Sequence, residues 1–375
     1  MKIVVYAICK NESQFVNRWM DSMQEADQVV VLDTGSTDKT PALLRRRGAL
    51  VYEETISPWR FDTARNRSLE LVDEDADLCV CTDLDELFRP GWRSALEQVW
   101  EPGTTQVRYP YVWSFQPNGG DGVTFWQEKI HLRHGYRWVH PVHEVLHWLG
   151  DSTTPKIVSA PGIRLEHHPD TRKSREQYLP MLELAVREAP EDDRCLHYLG
   201  REYLYHRQWD NCIHTLKQHL AMPNAHWPDE RAASMRYIGT AYSHKGEPDT
   251  AVQWYLRAAA EAPYLREPLT DLAMELYRQE DWHGVLFAAQ RALRIQKRPQ
   301  SYICEAEAWG SLPWDLISIA WYHLGRHTLA LEYALQALEL DPENQRLQEN
   351  VRLLQHFHDT GSPLPGTTDR SQFPG

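Results

Sequence analysis

The sequence predicts an α/β domain over residues 1–173, followed by an all-α superhelix of stacked helical hairpins over residues 174–358. Three observations predict it. In the first part, short and fully apolar runs alternate with amphipathic stretches, as in a parallel sheet covered on both faces. From about Ser174 the apolar residues keep helical spacing throughout. Within that second part, small and large residues recur about every 34 residues.

The elements follow in order. Lys2–Ile8 reads as a strand and Asn11–Met23 as a helix. Gln28–Leu32 is a second strand that ends at Asp33-Thr34-Gly35-Ser36. Thr37 or Ser36 is placed to cap a helix running to Arg47, and Pro41 is tolerated in its first turn. Ala49–Tyr52 is a third strand, Asp62–Val72 a helix and Asp77–Thr82 a fourth strand, with a further helix after Pro90-Gly91. From Thr105 to about Val158 the chain turns to aromatic-rich strands and loops, which read as an antiparallel addition.

The second part carries Gly239, Tyr242, Ala251, Tyr255, Ala258 and Pro263, and Ala273, Ala289 and Ala292 repeat the Gly239, Tyr255 and Ala258 slots one period later. That is the spacing of a tetratricopeptide repeat, in which small residues let two helices approach and a large ring fills the gap. Leu199-Gly200 with Tyr203 marks an earlier copy, and Trp321, Ala330 and Ala337 a later one. Four repeats are expected, with an insertion around Pro299–Gly310, a capping helix near Glu343–His358, and a disordered Pro- and Gly-rich tail over 359–375.

Composition narrows the function. Lys and Arg number 40 against 53 Asp and Glu, a net charge of −13, which argues against nucleic-acid binding through a global positive field. A local track through Arg164, Arg172, Lys173 and Arg175 is the exception to watch; a solvated helix face is its ordinary reading. No apolar run approaches the ~20 residues that span a bilayer, and the start reads as a strand, so a cytoplasmic protein without a membrane span is expected. The 6 cysteines form no Cys-x-x-Cys pair, and Cys79 and Cys81 read as buried thiols, which argues against a disulfide framework or a zinc site. Several of the 15 tryptophans, Trp59, Trp113, Trp126 and Trp138 among them, lie where a substrate would dock, although a core position is the ordinary fate of each.

The segment Cys79-Val80-Cys81-Thr82-Asp83-Leu84-Asp85-Glu86 is the most informative. Ligands of open α/β sheets bind just past the strand C-termini. Asp83 and Asp85, two apart, are expected to point the same way there and to offer hard oxygen ligands to Mg²⁺ or Mn²⁺; an acidic turn that caps the next helix is the alternative. Asp33 and Asn11-Glu12 end the two neighbouring strands, so three strand ends bring acid and amide groups to one rim. Such a rim can hold a nucleoside diphosphate, with Arg65 and Asn66 adding a cation and an amide; an ion pair between Arg65 and a rim aspartate is the other reading.

Taken together, Val4–Glu12, Val31–Thr40, Ala64-Arg65-Asn66 and Asp83-Leu84-Asp85-Glu86 resemble a family 2 glycosyltransferase, and with the repeats they resemble its bacterial and phage branch that includes the glycocin peptide S-glycosyltransferases. The likeness is strong over roughly the first 90 residues and returns at Val142-His143-Glu144 and Leu165-Glu166-His167. It implies the Rossmann-like GT-A fold, a nucleotide-diphosphate-sugar donor with UDP-sugars favoured, a Mn²⁺ or Mg²⁺ ion and inversion at the transferred carbon. By the same likeness Asp33 meets the base or ribose, Asn11 and Glu12 line that pocket, Arg65 lies near the nucleotide, Asp83 faces the ribose or donor sugar, and Asp85 ligates the metal. His167 or His168 is a further ligand candidate, although Pro169 stands where many relatives carry Gly.

An inverting transfer needs a general base at the acceptor. The acidic pair that commonly serves this family is not evident, so Glu144 with His143 beside it is the first candidate, and Asp121 and Glu128 come next. Orientation of a neighbouring His or Arg is the competing role for Glu144. The acceptor stays open between a peptide or protein docked on the repeats, a glycan and a modified nucleobase, as does homodimer formation. Two other functions compete: a tetratricopeptide scaffold with an inactive transferase-like domain, and a nucleotidyltransferase using the same pocket.

Overall fold

The computed structural model describes residues 1–116, 119–151, 154–170 and 177–360. Most of the tail and Arg172, Lys173 and Arg175 lie outside the described residues. The chain divides into two compact units, one of residues 1–115 with 124–189, the other of 116–123 with 190–375.

The first unit is built on strands β1 (Ile3–Cys9), β2 (Gln28–Asp33), β3 (Leu50–Glu53), β4 (Leu78–Cys81), β5 (Glu86–Phe88), β6 (Gln106–Val112), β7 (Thr124–Leu132), β8 (Tyr136–Val139), β9 (Val145–Trp148), β10 (Ile157–Ser159) and β11 (Leu165–His167). Its helices are α1 (Val16–Ser22), α2 (Thr40–Arg46), α3 (Phe61–Glu70), α4 (Trp92–Val99) and α5 (Tyr178–Glu188). The main sheet runs β3-β2-β1-β4-β7-β6-β11-β5, with β10 beside β6; β8 and β9 form a separate hairpin. Strands β3, β2, β1 and β4 are mutually parallel, as their apolar runs predict. Alternate residues of β1 enter two different cores: Ile3, Val5 and Ala7 pack with Trp19 and Leu44, while Val4 and Tyr6 pack with Leu69, Val72 and Trp138. A strand buried on both faces cannot show polar alternation, which is why its sequence is unbroken apolar.

The later strands are mixed. β7 joins β4 and β6 antiparallel, but β6 takes β10 and β11 parallel. The antiparallel addition expected from Thr105 to about Val158 is there in β6, β7 and the β8–β9 hairpin, and only β10, at its end, pairs parallel, because it returns from a long excursion instead of a hairpin. Helix α1 also starts later than the sequence suggests. Asn11 sits in the left-handed region at φ 55, where Asn is tolerated, and its side chain is tied to the next loop.

The second unit consists of hairpins: α6 (Asp193–Tyr205) with α7 (Trp209–Ala221), α8 (Pro228–His244) with α9 (Pro248–Glu261), α10 (Glu267–Arg278) with α11 (Trp282–Arg294), and α13 (Leu312–His323) with α14 (His327–Leu340). The short α12 (Ala306–Trp309) lies in the insertion, and α15 (Gln345–Thr360) packs on α14 as the terminal helix. Asp359 and Thr360, read from sequence as tail, belong to α15. The small-large rule has a direct geometric cause: a Cβ at Gly239 would stand 2.8 Å from Tyr255 Cε1, so the α8–α9 approach requires glycine. Among the described residues no helix is long and apolar enough to cross a membrane.

Candidate active site

The C-terminal ends of β1, β2 and β4 meet at one rim. β1 ends beside β2 with Cys9 opposite Asp33, and Cys9 Sγ donates to Asp33 Oδ2 at 3.3 Å. Asp33 Oδ1 accepts from the backbone N–H of Gly35 (3.0 Å) and Ser36 (2.8 Å), so this nearly buried carboxylate braces its own turn. Gly35, at φ 110, is the residue that lets the turn close. Asn11 Oδ1 accepts from Thr37 N at 2.7 Å, and Asn11 N donates to Ser36 Oγ at 2.8 Å. Glu12 is buried, and its N–H donates to Thr40 Oγ1 at 2.8 Å. The three residues expected to line a nucleotide pocket therefore stand together and knit the β1 and β2 ends into one wall.

Past β4 the chain leaves strand geometry at Cys81, so period-two alternation does not carry Asp83 and Asp85 to the same side. Asp83 turns to Arg65, whose Nη2 lies 2.9 and 3.2 Å from its two oxygens. Arg65 is 4% exposed, and it also donates from Nε to Glu144 and from Nη1 to Cys81 Sγ at 3.3 Å. Lys129 Nζ, from β7, approaches Asp83 Oδ2 at 3.5 Å and Glu86 Oε1 at 3.2 Å. Glu86 closes the network: its Oε2 accepts from Asp83 N at 2.9 Å, and Oε1 accepts from Tyr111 Oη at 2.8 Å.

Burial works against a charge on Asp83, but Arg65 and then Lys129 hold its carboxyl well below the usual carboxylate range. Burial pushes Glu86 the other way, opposed by Lys129 and reinforced by the charge of Asp83. Burial alone would lower the pKa of Lys129, yet Glu86 and Asp83 raise it, so the ammonium persists.

Asp85 turns to β11. The β5–β11 register sets Glu86 opposite His167, and His168 N donates to the Asp85 carbonyl at 2.7 Å. That brings His167 Nε2 to 3.6 Å from Asp85 Oδ2. Burial favours neutral His167, but its pKa is raised by Asp85 and the more distant Glu86. The pair is a chemically suitable donor set for Mn²⁺ or Mg²⁺, one carboxylate and one imidazole, with positions left for phosphate oxygens. Among the described residues Asp83, Asp85 and His167 do not bring three ligand atoms together; Asp83 is drawn off by Arg65 and Lys129.

Other expectations need correction. Asn66 is not directed at a ligand: Nδ2 donates to Trp138 O and Oδ1 accepts from Trp138 N, both at 2.8 Å, which fastens α3 to β8. Glu144 is ion-paired with Arg65, the geometry that its orienting alternative requires. His143, at φ 52, lies 5.9 Å from the Tyr178 ring. Asp121 belongs to the segment that groups with the second unit. Glu128 is half-buried, and burial raises its pKa. His168 stacks on Phe115 at 5.1 Å and meets Glu166 at 3.5 Å, and it lines the same cleft as His167. Of the four tryptophans, Trp138 is core, whereas Trp113 is 48% exposed and stacks on His167 at 4.3 Å. Sequence reasoning missed Lys129, Glu86 and Arg18. Phe15, Arg18, Trp113, Phe115, His167 and Pro169 line a cleft of about 420 Å³ beside the Asp85–His167 pair.

The floor under Arg65 is a proton-ordered chain. Trp138, whose ring lies 5.3 Å from Arg65 Cζ, donates from Nε1 to Tyr6 Oη (2.8 Å). Tyr6 Oη donates to His131 Nε2 (2.8 Å), and His131 Nδ1 donates to the Leu132 carbonyl (2.7 Å). Each group has one proton to give, which fixes the neutral tautomer. Burial first, with Arg133 adding to it, lowers the pKa of His131 to about 4. The unfolded chain takes this proton near pH 6.5. Between those values the unfolded state binds more protons, so stability falls as the pH drops from about 6.5 to about 4. The loss attributable to His131 is about 3 kcal/mol. Urea unfolding of wild type and His131→Gln across this range should show curves that converge at low pH; parallel curves would contradict the buried neutral ring.

Comparison with known proteins bears on the same elements. Residues 4–144 match the family model described as glycosyl transferase family 2. The chain carries a family 2 glycosyltransferase domain. Residues 199–265 match a tetratricopeptide repeat model, so the helical unit is a repeat superhelix. A TPR repeat-containing protein of Synechococcus elongatus is 31% identical over 98 residues, which is 25% of this chain and 23% of that one. The match thus spans about a quarter of that relative. Among solved structures, MamA is similar at 16% identity over 44% of this chain and 87% of its own, with a TM-score of 0.37. A thermophilic TPR protein of Thermus thermophilus is similar at 16% identity over 48% and 89%, with a TM-score of 0.36. The motifs of the glycosyltransferase domain at Asn11, Asp33, Arg65, Asp83 and Glu144 all fall within its matched span, and His167 lies beyond it.

Proposed function

We propose that the protein is a metal-dependent, inverting glycosyltransferase that takes a sugar from a nucleotide-diphosphate donor, a UDP-sugar first, and passes it to an acceptor entering by the Trp113 cleft. The observation that carries the reading is the placement of Asp85 and His167, 3.6 Å apart, next to the Arg65–Asp83 pair at the ends of parallel strands. The nucleoside end fits the wall made by Asn11, Glu12 and Asp33. Asp85 and His167 would hold the divalent ion, which when bound supplies positive charge to the departing diphosphate. Among the described residues Asp83, Glu86 and Glu144 share two fixed cations, Arg65 and Lys129, and Asp85 meets His167, so the carboxylates of the rim outnumber its fixed cations, which suits a bound cation. Glu144 holds Arg65 in its buried pose, and Arg65 in turn positions Asp83 for a sugar or ribose hydroxyl. Trp113 offers an exposed ring face for an acceptor to stack on, and Arg18 edges the same cleft. A peptide or protein acceptor suits the repeat unit, since repeat grooves commonly bind extended chains.

A panel of UDP-, GDP- and dTDP-sugars incubated with the full chain and Mn²⁺ tests this reading through release of free nucleotide diphosphate. Release from at least one UDP-sugar, lost on adding EDTA, is expected. Silence across the panel would leave a repeat scaffold with an inactive transferase domain.

A further inference from the structure

The second unit holds a cluster that the glycosyltransferase reading does not use. Asp193 opens α6, His219 lies in the last turn of α7, and Glu230 lies in the first turn of α8. Their ligand atoms all lie within 4.8 Å of one another. His219 is fully buried, and its Nε2 has no hydrogen-bond partner. A buried imidazole nitrogen is seldom left unsatisfied without a reason. Its Nδ1 is committed to Ser234 Oγ at 3.0 Å, and the same hydroxyl lies 2.8 Å from His197 Nδ1. With His219 Nδ1 donating to Ser234, and Ser234 donating to His197, the lone pair falls on His219 Nε2.

We propose that Asp193, His219 and Glu230 form a divalent transition-metal site in the repeat unit, one that takes Zn²⁺ first. One imidazole and two carboxylates are ordinary zinc donors, and the partly exposed Asp193 side leaves room for water as a fourth ligand. The outer partners are already in place. Tyr302 Oη donates to Glu230, Asn224 Nδ2 donates to Asp193 Oδ1 at 3.2 Å, and Ser234 Oγ occupies His219 Nδ1, which leaves Nε2 for an ion. Arg194, bonded to Tyr198 Oη at 3.3 Å, and Arg231, bonded to Glu261, are the neighbouring cations; neither is hydrogen-bonded to the two carboxylates. The ion would tie α6, α7 and α8 together, joining the first hairpin to the second. The cysteine pattern that argues against a zinc site does not bear on this one, because its donors are nitrogen and oxygen.

The test uses the full chain, stripped with EDTA and dialysed against ZnCl₂, with zinc per chain read by mass spectrometry. The Asp85→Ala chain removes the rim site from the count and should still retain one zinc. Adding His219→Gln should remove that zinc or weaken it at least about tenfold. Asp193→Asn, at a partly exposed position, should do the same and guards against a misfolded His219→Gln chain. Cobalt in place of zinc should give a spectrum without thiolate charge transfer. The site is overturned if the Asp85→Ala chain holds no zinc, if both further substitutions leave its zinc unchanged, or if cobalt reports thiolate ligands. None of these readings depends on glycosyl transfer.

Discussion

Replacing Asp85 with Ala is expected to slow Mn²⁺-dependent release of nucleotide diphosphate about 10³-fold, equivalent to about 4 kcal/mol of transition-state stabilisation. The size follows from where charge develops. As the sugar–phosphate bond of the donor breaks, negative charge collects on the departing diphosphate, and Asp85 and His167 would hold an ion whose positive charge offsets it. Substituting the Asp85 side chain leaves the backbone link from His168 N to the Asp85 carbonyl in place, so the β5–β11 pairing should survive. His167→Ala should lose less, since a carboxylate and the phosphates still hold the ion. Turnover and Mn²⁺ dependence measured on the wild-type and both variant chains, with circular dichroism as the fold check, decide the matter. Undiminished turnover in Asp85→Ala would remove the ion from this position.

The sequence made some features plain and hid others for identifiable reasons. The β-α alternation of the first unit was legible because β1, β2 and β4 are buried on both faces, and burial of that kind leaves unbroken apolar runs. The repeats were legible because the contact of Gly239 with Tyr255 demands a fixed spacing within one hairpin. The carboxylates of the rim were legible as candidates, but their partners were not. Asp83 and Asp85 read as a matched pair because alternation was extended past the end of β4; the turn at Leu84-Asp85 sends one to Arg65 and the other to His167. Lys129 shows no local signal at all, because a lysine next to Glu128 in a strand looks like a solvent-facing position. It is largely covered because β7 inserts between β4 and β6, a pairing that joins distant parts of the chain. The same holds for Asn66. Its amide looks like a ligand group until the β8 backbone arrives to occupy both ends. Local periodicity reports what an element is, and it says little about which distant charge will meet it.

Arg65→Met should unfold the first unit at markedly lower urea, with a loss of about 3–5 kcal/mol. Methionine replaces the apolar stem of the arginine and ends about where its Nε stood, so most of the packing made by the stem is kept while the contact of Cζ with the Trp138 ring is lost. The electrostatic loss is large. Glu144, with its side chain only 11% exposed, would keep its charge without its partner, and Asp83 would be left to Lys129 alone. Removing one member of a buried ion pair costs more than the pair contributes, because the survivor is desolvated and uncompensated. Pairing the change with Glu144→Gln separates the two parts: the double variant should recover part of the loss, by an interaction energy of the size seen for residues in one network. Arg65→Lys should fall between wild type and Arg65→Met, since one ammonium cannot serve Glu144, Cys81 and Asp83 at once as the guanidinium fork does. An Arg65→Met chain within about 0.5 kcal/mol of wild type would show that the Glu144–Arg65–Asp83 network is solvated and sets no geometry at the rim.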